Sequence, residues 1–138
     1  MKTSKIKIHE ALSLAAEING FQQGEKIVFV GLLNEKLPIK IKYWLGRLNT
    51  KLEDNKQAVE KLRIELVEKF GEKAKDGSIN VPYQIDEVIN PKFLDFQKEY
   101  NELLQEDFEF EHPEFFLTDF ENLETESNYQ MFFKLIED

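Results

Sequence analysis

Pro38-Ile39-Lys40-Ile41-Lys42-Tyr43-Trp44-Leu45-Gly46-Arg47-Leu48 opens the stretch whose reading decides the fold. Proline suits the first turn of a helix, where its missing N–H has no intrahelical partner to lose. From there Ile41, Leu45, Leu48, Leu52, Asn55, Val59, Leu62 and Leu66 recur at alternating spacings of four and three. That is a heptad seam, the pattern of a coiled coil. Gly71 follows Phe70 as a natural stop. The spacing predicts a helix over about 38–70, which at about 1.5 Å per residue is a rod of roughly 50 Å. Leu48, Leu52, Val59 and Leu62 are its expected buried positions. Asn55 stands where the pattern calls for an apolar residue, and a buried Asn there fixes register or association state at some cost in stability.

Working outward, Ala11, Leu12, Leu14, Ala15 and Ala16 favour a helix over about 8–19, closed by Asn19-Gly20. Residues 25–33 read either as a strand, from their β-branched side chains, or as a short buried helix. Toward the C-terminus, Asp76-Gly77 marks a tight turn and Pro82 makes about 79–85 extended. Asn90-Pro91 caps a second helix over about 91–105. Asp107-Phe108-Glu109-Phe110-Glu111 alternates with period two, predicting a strand over about 107–111 that could pair with 79–85. Thr118-Asp119-Phe120-Glu121 starts like a capping box for a short helical turn, and a last short helix is expected over about 128–136. The expected fold is mainly α: a single domain over residues 1–138, built as a long-helix hairpin with a small antiparallel β element. The second helix, about 15 residues or 23 Å, covers only about half of the first. The rest of the seam needs the N-terminal helix, the terminal segment or another chain.

The chain's 138 residues are 41% hydrophobic and 33% charged, which places it among globular domains with a real core. There is no cysteine and only two histidines, His9 and His112. Disulfides, thiolate metal sites and a cysteine nucleophile are excluded, as is a His-rich centre. No apolar run approaches the roughly 20 residues of a membrane span. The polar opening Met1-Lys2-Thr3-Ser4-Lys5 is unlike a secretory signal. The expected location is the cytoplasm, with the virion as a further site. The net charge of −9 is divided: residues 1–75 hold 15 Lys/Arg and 10 Asp/Glu, while residues 76–138 hold 3 and 17. The acidic half is rich in phenylalanine, so it is expected to fold against the basic half rather than trail as an acidic tail.

Motifs for catalysis are missing: no phosphate-binding Gly-rich loop, no His-Glu-x-x-His, no Gly-x-Ser-x-Gly. No catalytic residue, metal site or cofactor is expected. The acids from Glu106 to Glu114 lack the turning glycine of a calcium loop. His9 and His112 have no Ser, Thr or acid at a telling distance along the chain. Candidate contacts are therefore with a protein. Lys40, Tyr43, Arg47 and Lys51 share one helix face, with Trp44 beside them. Interleaved cations and an aromatic could follow a phosphate backbone, but the acidic second half repels nucleic acid. Asn55 is a candidate for register. Glu109, Glu111 and Glu114, on an acidic, Phe-lined surface, are candidates for imitating a polyanion.

Lys36-Leu37-Pro38-Ile39-Lys40 opening the long helix, Val67-Glu68-Lys69-Phe70-Gly71-Glu72-Lys73 closing it, and the ending Leu135-Ile136-Glu137-Asp138 together resemble a family. It is that of small proteins of tailed bacteriophages and prophages, with Phe70 where the family's helix end carries tyrosine. The likeness covers most of residues 27–138. It implies a phage origin and a role in virion assembly or in dealing with the host, and it brings no catalytic residues. The expected function is a non-enzymatic accessory protein acting by protein–protein binding in virion assembly or structure, with self-association possible. The alternative is an inhibitor of a host defence protein acting by acidic mimicry.

Overall fold

A computed structural model describes residues 1–137, the last by its backbone alone. The chain runs β1 (Lys2–Lys7), α1 (Ile8–Asn19), β2 (Phe21–Gln23), β3 (Lys26–Phe29), a 3-10 turn (Leu32–Asn34), α2 (Ile39–Phe70), β4 (Glu72–Lys73) and β5 (Ile79–Asn80). It continues with β6 (Gln84–Ile85), β7 (Val88–Ile89), α3 (Pro91–Leu104), β8 (Asp107–His112), a second 3-10 turn (Leu117–Phe120) and α4 (Gln130–Glu137). It gathers into two compact units. Unit 1 is residues 1–56 with the chain from 107 onward, unit 2 is residues 57–106, and the boundary falls inside α2.

Unit 1 holds the core. α1 starts with the Glu10 carboxylate accepting the Lys7 N–H at 3.0 Å. Its buried Ala11, Leu14, Ala15 and Ile18 fall at helical spacing, so one stripe faces inward. The helix stops at Gly20, whose φ of +98° suits glycine. A Cβ there would lie 2.6 Å from the Val30 carbonyl oxygen, and one at Gly31 would lie 2.6 Å from the Gly20 nitrogen. Only glycines let the two ends of the β2–β3 hairpin pass so closely. Against α1 pack Leu45, Leu48 and Leu52 of α2, together with Phe110, Phe115, Phe120, Phe132 and Leu135. The phenylalanines of the acidic half thus form core, and rings of Phe115, Phe120 and Phe132 meet at 5.2–6.3 Å.

Two buried carboxylates fasten the C-terminal segment. Glu17 accepts the N–H groups of Met131 (3.1 Å) and Phe132 (3.0 Å), which satisfies donors at the start of α4. Glu35 accepts hydroxyl protons from Thr125 (2.6 Å) and Tyr129 (2.7 Å). The Tyr129 oxygen in turn accepts the Gly31 N–H at 3.1 Å.

Unit 2 has two tiny ribbons. β4 pairs with β5 around the Asp76-Gly77 turn, where Asp76 accepts the Ser78 N–H at 3.0 Å. β6 pairs with β7 across Asp86 and Glu87, both with positive φ. α3 is capped by Asn90, whose side chain accepts the Lys92 N–H with Pro91 in the first turn. Lys69 of α2 meets Glu99 of α3 at 3.1 Å.

The expected mainly α, long-helix hairpin is not what forms. The described residues are 53% helical, 3-10 turns included, and 20% strand, with four helices and four two-stranded antiparallel sheets: an α+β mixture. The strand that residues 107–111 promised exists, but it pairs with β1, in the register Lys2↔His112 to Lys7↔Asp107, and not with 79–85. Its acids alternate outward and its rings inward, and β1 sets Lys7 and Lys5 opposite Asp107 and Glu109, with Thr3 opposite Glu111. Residues 79–85 split at Val81-Pro82-Tyr83, because proline has no N–H to give a ladder. The ambiguous 25–33 stretch is strand β3 followed by the 3-10 turn. Leu62, expected to be buried, is 42% exposed.

Candidate functional site

On α2 the exposed Lys40, Tyr43, Arg47 and Lys51 form the stripe their spacing implies. Arg47 donates to the Tyr43 hydroxyl at 3.3 Å, and the Tyr43 ring stands edge-on to Trp44 at 5.1 Å. Trp44 itself is half-buried and packs against the core. Lys51 is turned inward along the surface, donating to the Glu111 carbonyl oxygen at 2.6 Å. Asn55 is half-buried, and its Nδ2 is buried with no hydrogen-bond partner.

The β1–β8 ribbon decides the meaning of the acidic strand. Lys7 reaches Asp107 at 2.9 Å and Lys5 reaches it at 3.5 Å, while Lys5 and Thr3 stand opposite Glu109 and Glu111 in the register. The Lys7 hydrogen bond, helped by the charges of Lys7 and Lys5, holds the Asp107 carboxyl below the usual carboxylate range. A shallow cleft of about 510 Å³ brings Lys51, Glu109 and Glu111 together with Thr3 and Asp54. Glu114 lies past the strand's end, is exposed and does not join them. Asp107 thus takes both Lys5 and Lys7, and Lys51 goes to a main-chain carbonyl, while the carboxylates of Glu109 and Glu111 make no ion pair among the described residues.

Chain distance concealed one pairing. His112 is buried, and its Nε2 lies 2.7 Å from the Ser4 hydroxyl. Its Nδ1 is 2.8 Å from the Pro113 carbonyl oxygen. A carbonyl only accepts, so Nδ1 carries the proton and Nε2 accepts from Ser4. Burial pushes the His112 pKa down, and the charges of Lys2 and Lys51 push the same way. The pair has the donor order of an activated serine, with a main-chain carbonyl in the place of the orienting acid. Ser4 and His112 lie on the inner face of the ribbon with Phe110, and the Phe110 and Phe115 rings flank the imidazole at 5.3 and 6.3 Å. It is a cross-strand tie within the core. Burial likewise pushes the Glu17 carboxyl up, against the lowering effect of the two amides it accepts.

Both units expose large apolar side chains, Ile39 and Ile27 of unit 1 among them, but unit 2 does so with almost no core of its own. Among its described residues Val59 is the one buried apolar side chain, and α3 buries none. Leu62, Ile64, Ile79, Tyr83, Ile85, Val88, Ile89 and Leu94 are all more than two-fifths exposed, Val88 at 67%. Four of them, Tyr83, Ile85, Val88 and Ile89, sit on or beside the β6–β7 hairpin. A groove of about 520 Å³ runs between α2, the β4–β5 turn and α3, floored by Ile64, Val67, Ile79, Val81 and Phe96 and rimmed by Arg63 and Glu68. Sequence reasoning singled out none of these except the seam leucine. The signal was present in Ile79, Tyr83, Ile85, Val88 and Ile89, too many large apolar side chains for one short loop.

Among the described residues no helix is long and apolar enough to cross a membrane, and no three His, Asp or Glu side chains are placed to hold a metal ion. No family model matches the chain, and no curated protein or solved structure matches it either.

Proposed function

We propose that the protein works by binding another protein chain through unit 2, as a non-enzymatic accessory factor. The observation that carries this is the exposed apolar surface of residues 57–106 beside a single buried apolar side chain. A segment of this size that hides so little apolar surface gains too little from burial to offset the entropy of ordering it. Exposed apolar side chains clustered as on the β6–β7 hairpin mark interaction sites. At roughly 80 Å² of exposed side chain each, the four residues on or beside the β6–β7 hairpin offer about 300 Å², a core for an interface of the standard size of about 800 Å² per partner. The phage setting, and with it a part in virion assembly or structure, rests on the resemblance of the α2 ends and the chain's last residues.

The test is capture from the cells in which the protein is made, with the native chain and with the hairpin variant Ile85→Asp/Val88→Asp as baits. The expected result is one defined protein, itself or another, held by the native chain and lost by the variant. Identical captures by the two baits would overturn the proposal. Binding should also tolerate salt, since its source is apolar burial; a roughly tenfold loss between about 50 and 200 mM salt would return charge mimicry to first place.

A further inference from the structure

The α2 wall of the unit 2 groove is formed by Arg63, Ile64, Val67 and Glu68. In chain order these are a cation, two apolar side chains and an acid. That order is its own complement. If a second α2 lies antiparallel, with the twofold axis between Glu65 and Leu66, Arg63 faces Glu68 of the other copy and Ile64 faces its Val67. The same contacts recur in reverse, as an isologous interface requires.

We propose that a second copy of this chain covers the groove, making an antiparallel twofold dimer through this face of α2. This rests on the reading of unit 2 as a binding surface and names the occupant of one part of it. The groove, at about 520 Å³, has room for a few side chains rather than a whole helix, which suits knobs offered by a facing helix. The rim groups keep capacity for a partner. Glu60 engages the Nε and Nη2 of Arg63, which leaves Nη1 to a partner. Glu68 has no hydrogen bond or ion pair among the described residues. Ile64 is 45% exposed at the centre of the face, where a self-complementary pair gains most from burial.

The experiment is sedimentation equilibrium of the full chain from about 1 to 200 µM, spanning the range in which a modest dimer dissociates. The native chain should be dimeric at the upper end. Arg63→Glu alone sets acid against acid, and Glu68→Arg alone sets cation against cation, so each should weaken self-association by roughly tenfold or more. An equimolar mixture of the two variants restores both contacts, and it should form a heterodimer within about threefold of native affinity. Recovery on mixing also shows that both variants are folded. A native chain that stays monomeric throughout, single variants that dimerise like the native chain, or a mixture that fails to recover would each overturn the dimer. Capture dependent on Ile85 and Val88 is read separately, so its survival would leave the broader binding proposal standing without the dimer.

Discussion

Leu52 and Leu62 lie on the same heptad seam, yet Leu52 is fully buried in unit 1 and Leu62 is 42% exposed in unit 2. Truncating each to alanine removes the same three carbons from opposite environments. At Leu52 the lost transfer energy, at about 0.8 kcal/mol per carbon, is about 2.4 kcal/mol, and the cavity left in a close-packed core raises the cost to about 3–4 kcal/mol. At Leu62 an open site has no cavity to leave and the cost should stay below about 1 kcal/mol. For a unit of about 88 residues such as unit 1, about 1 kcal/mol moves Tm by about 4–8 °C, so Leu52→Ala should lower the melting of that unit by at least about 12 °C. Far-UV circular dichroism, which reads helix in both units, follows the unfolding of both variants in urea or on heating. The comparison belongs at low protein concentration, where self-association adds nothing. Equal costs at the two leucines, or a loss under about 1 kcal/mol at Leu52, would refute the division of the seam into a covered and an uncovered half.

Three further outcomes follow from buried polar groups. Asn55→Leu removes an unsatisfied buried donor and should raise stability by about 1–3 kcal/mol, read as a higher urea midpoint; a clear loss would mean that the amide makes a specific bond. Tyr129→Phe strips a partner from the Gly31 N–H and from Glu35 together, and should cost about 1–3 kcal/mol by the same measurement, with no effect as the contrary result. His112 is held neutral, with a folded pKa below its unfolded value near 6.5, so the unfolded chain binds the proton more readily. Its contribution is complete above about pH 6.5 and is lost as pH falls through the folded pKa. Stability measured against pH should fall on that side and fall less steeply in His112→Gln, whereas an unchanged slope would assign the loss to other groups. Glu17 works the other way, its raised pKa favouring the folded state as pH drops toward 4.5, which makes the His112 comparison a difference between two curves.

Local signals wrote the helices plainly. Pro38 and Gly71 bracket α2, Asn19-Gly20 ends α1 and Asn90-Pro91 starts α3, and the structure places these boundaries within a residue or so of the expected ones. The strands were harder because their information is non-local. β8 read as a strand on its own alternation, but its partner β1 lies about a hundred residues away, and Lys5 and Lys7 reveal themselves only once set opposite Asp107 and Glu109. The Ser4–His112 tie was hidden for the same reason. The β6–β7 turn uses Asp86 and Glu87 in the left-handed region, where an Asn-Gly or Asp-Gly pair is the usual cue, so the hairpin left no signature. Of the nine candidate contact residues, the fold gathers Lys51, Glu109 and Glu111 and leaves Glu114 apart. The unit 2 surface escaped because exposure is a property of packing: the pattern that made Leu62 a core position is unchanged, and what is missing is anything to cover it.

Native-state hydrogen exchange in dilute protein tests the central claim most directly. A helix of 14 residues that buries no side chain is marginal by itself, whereas α1 is tied into the unit 1 core. The account expects amides of α3 and the β6–β7 hairpin to exchange through low-energy openings, several kcal/mol below those that expose Leu14 and Ile18 of α1. Protection should rise in unit 2 alone once its surface is covered, by a second copy at high concentration or by a captured partner. Unit 2 amides as protected as those of α1 in dilute solution would mean that the unit is complete without a partner, and the account would be wrong.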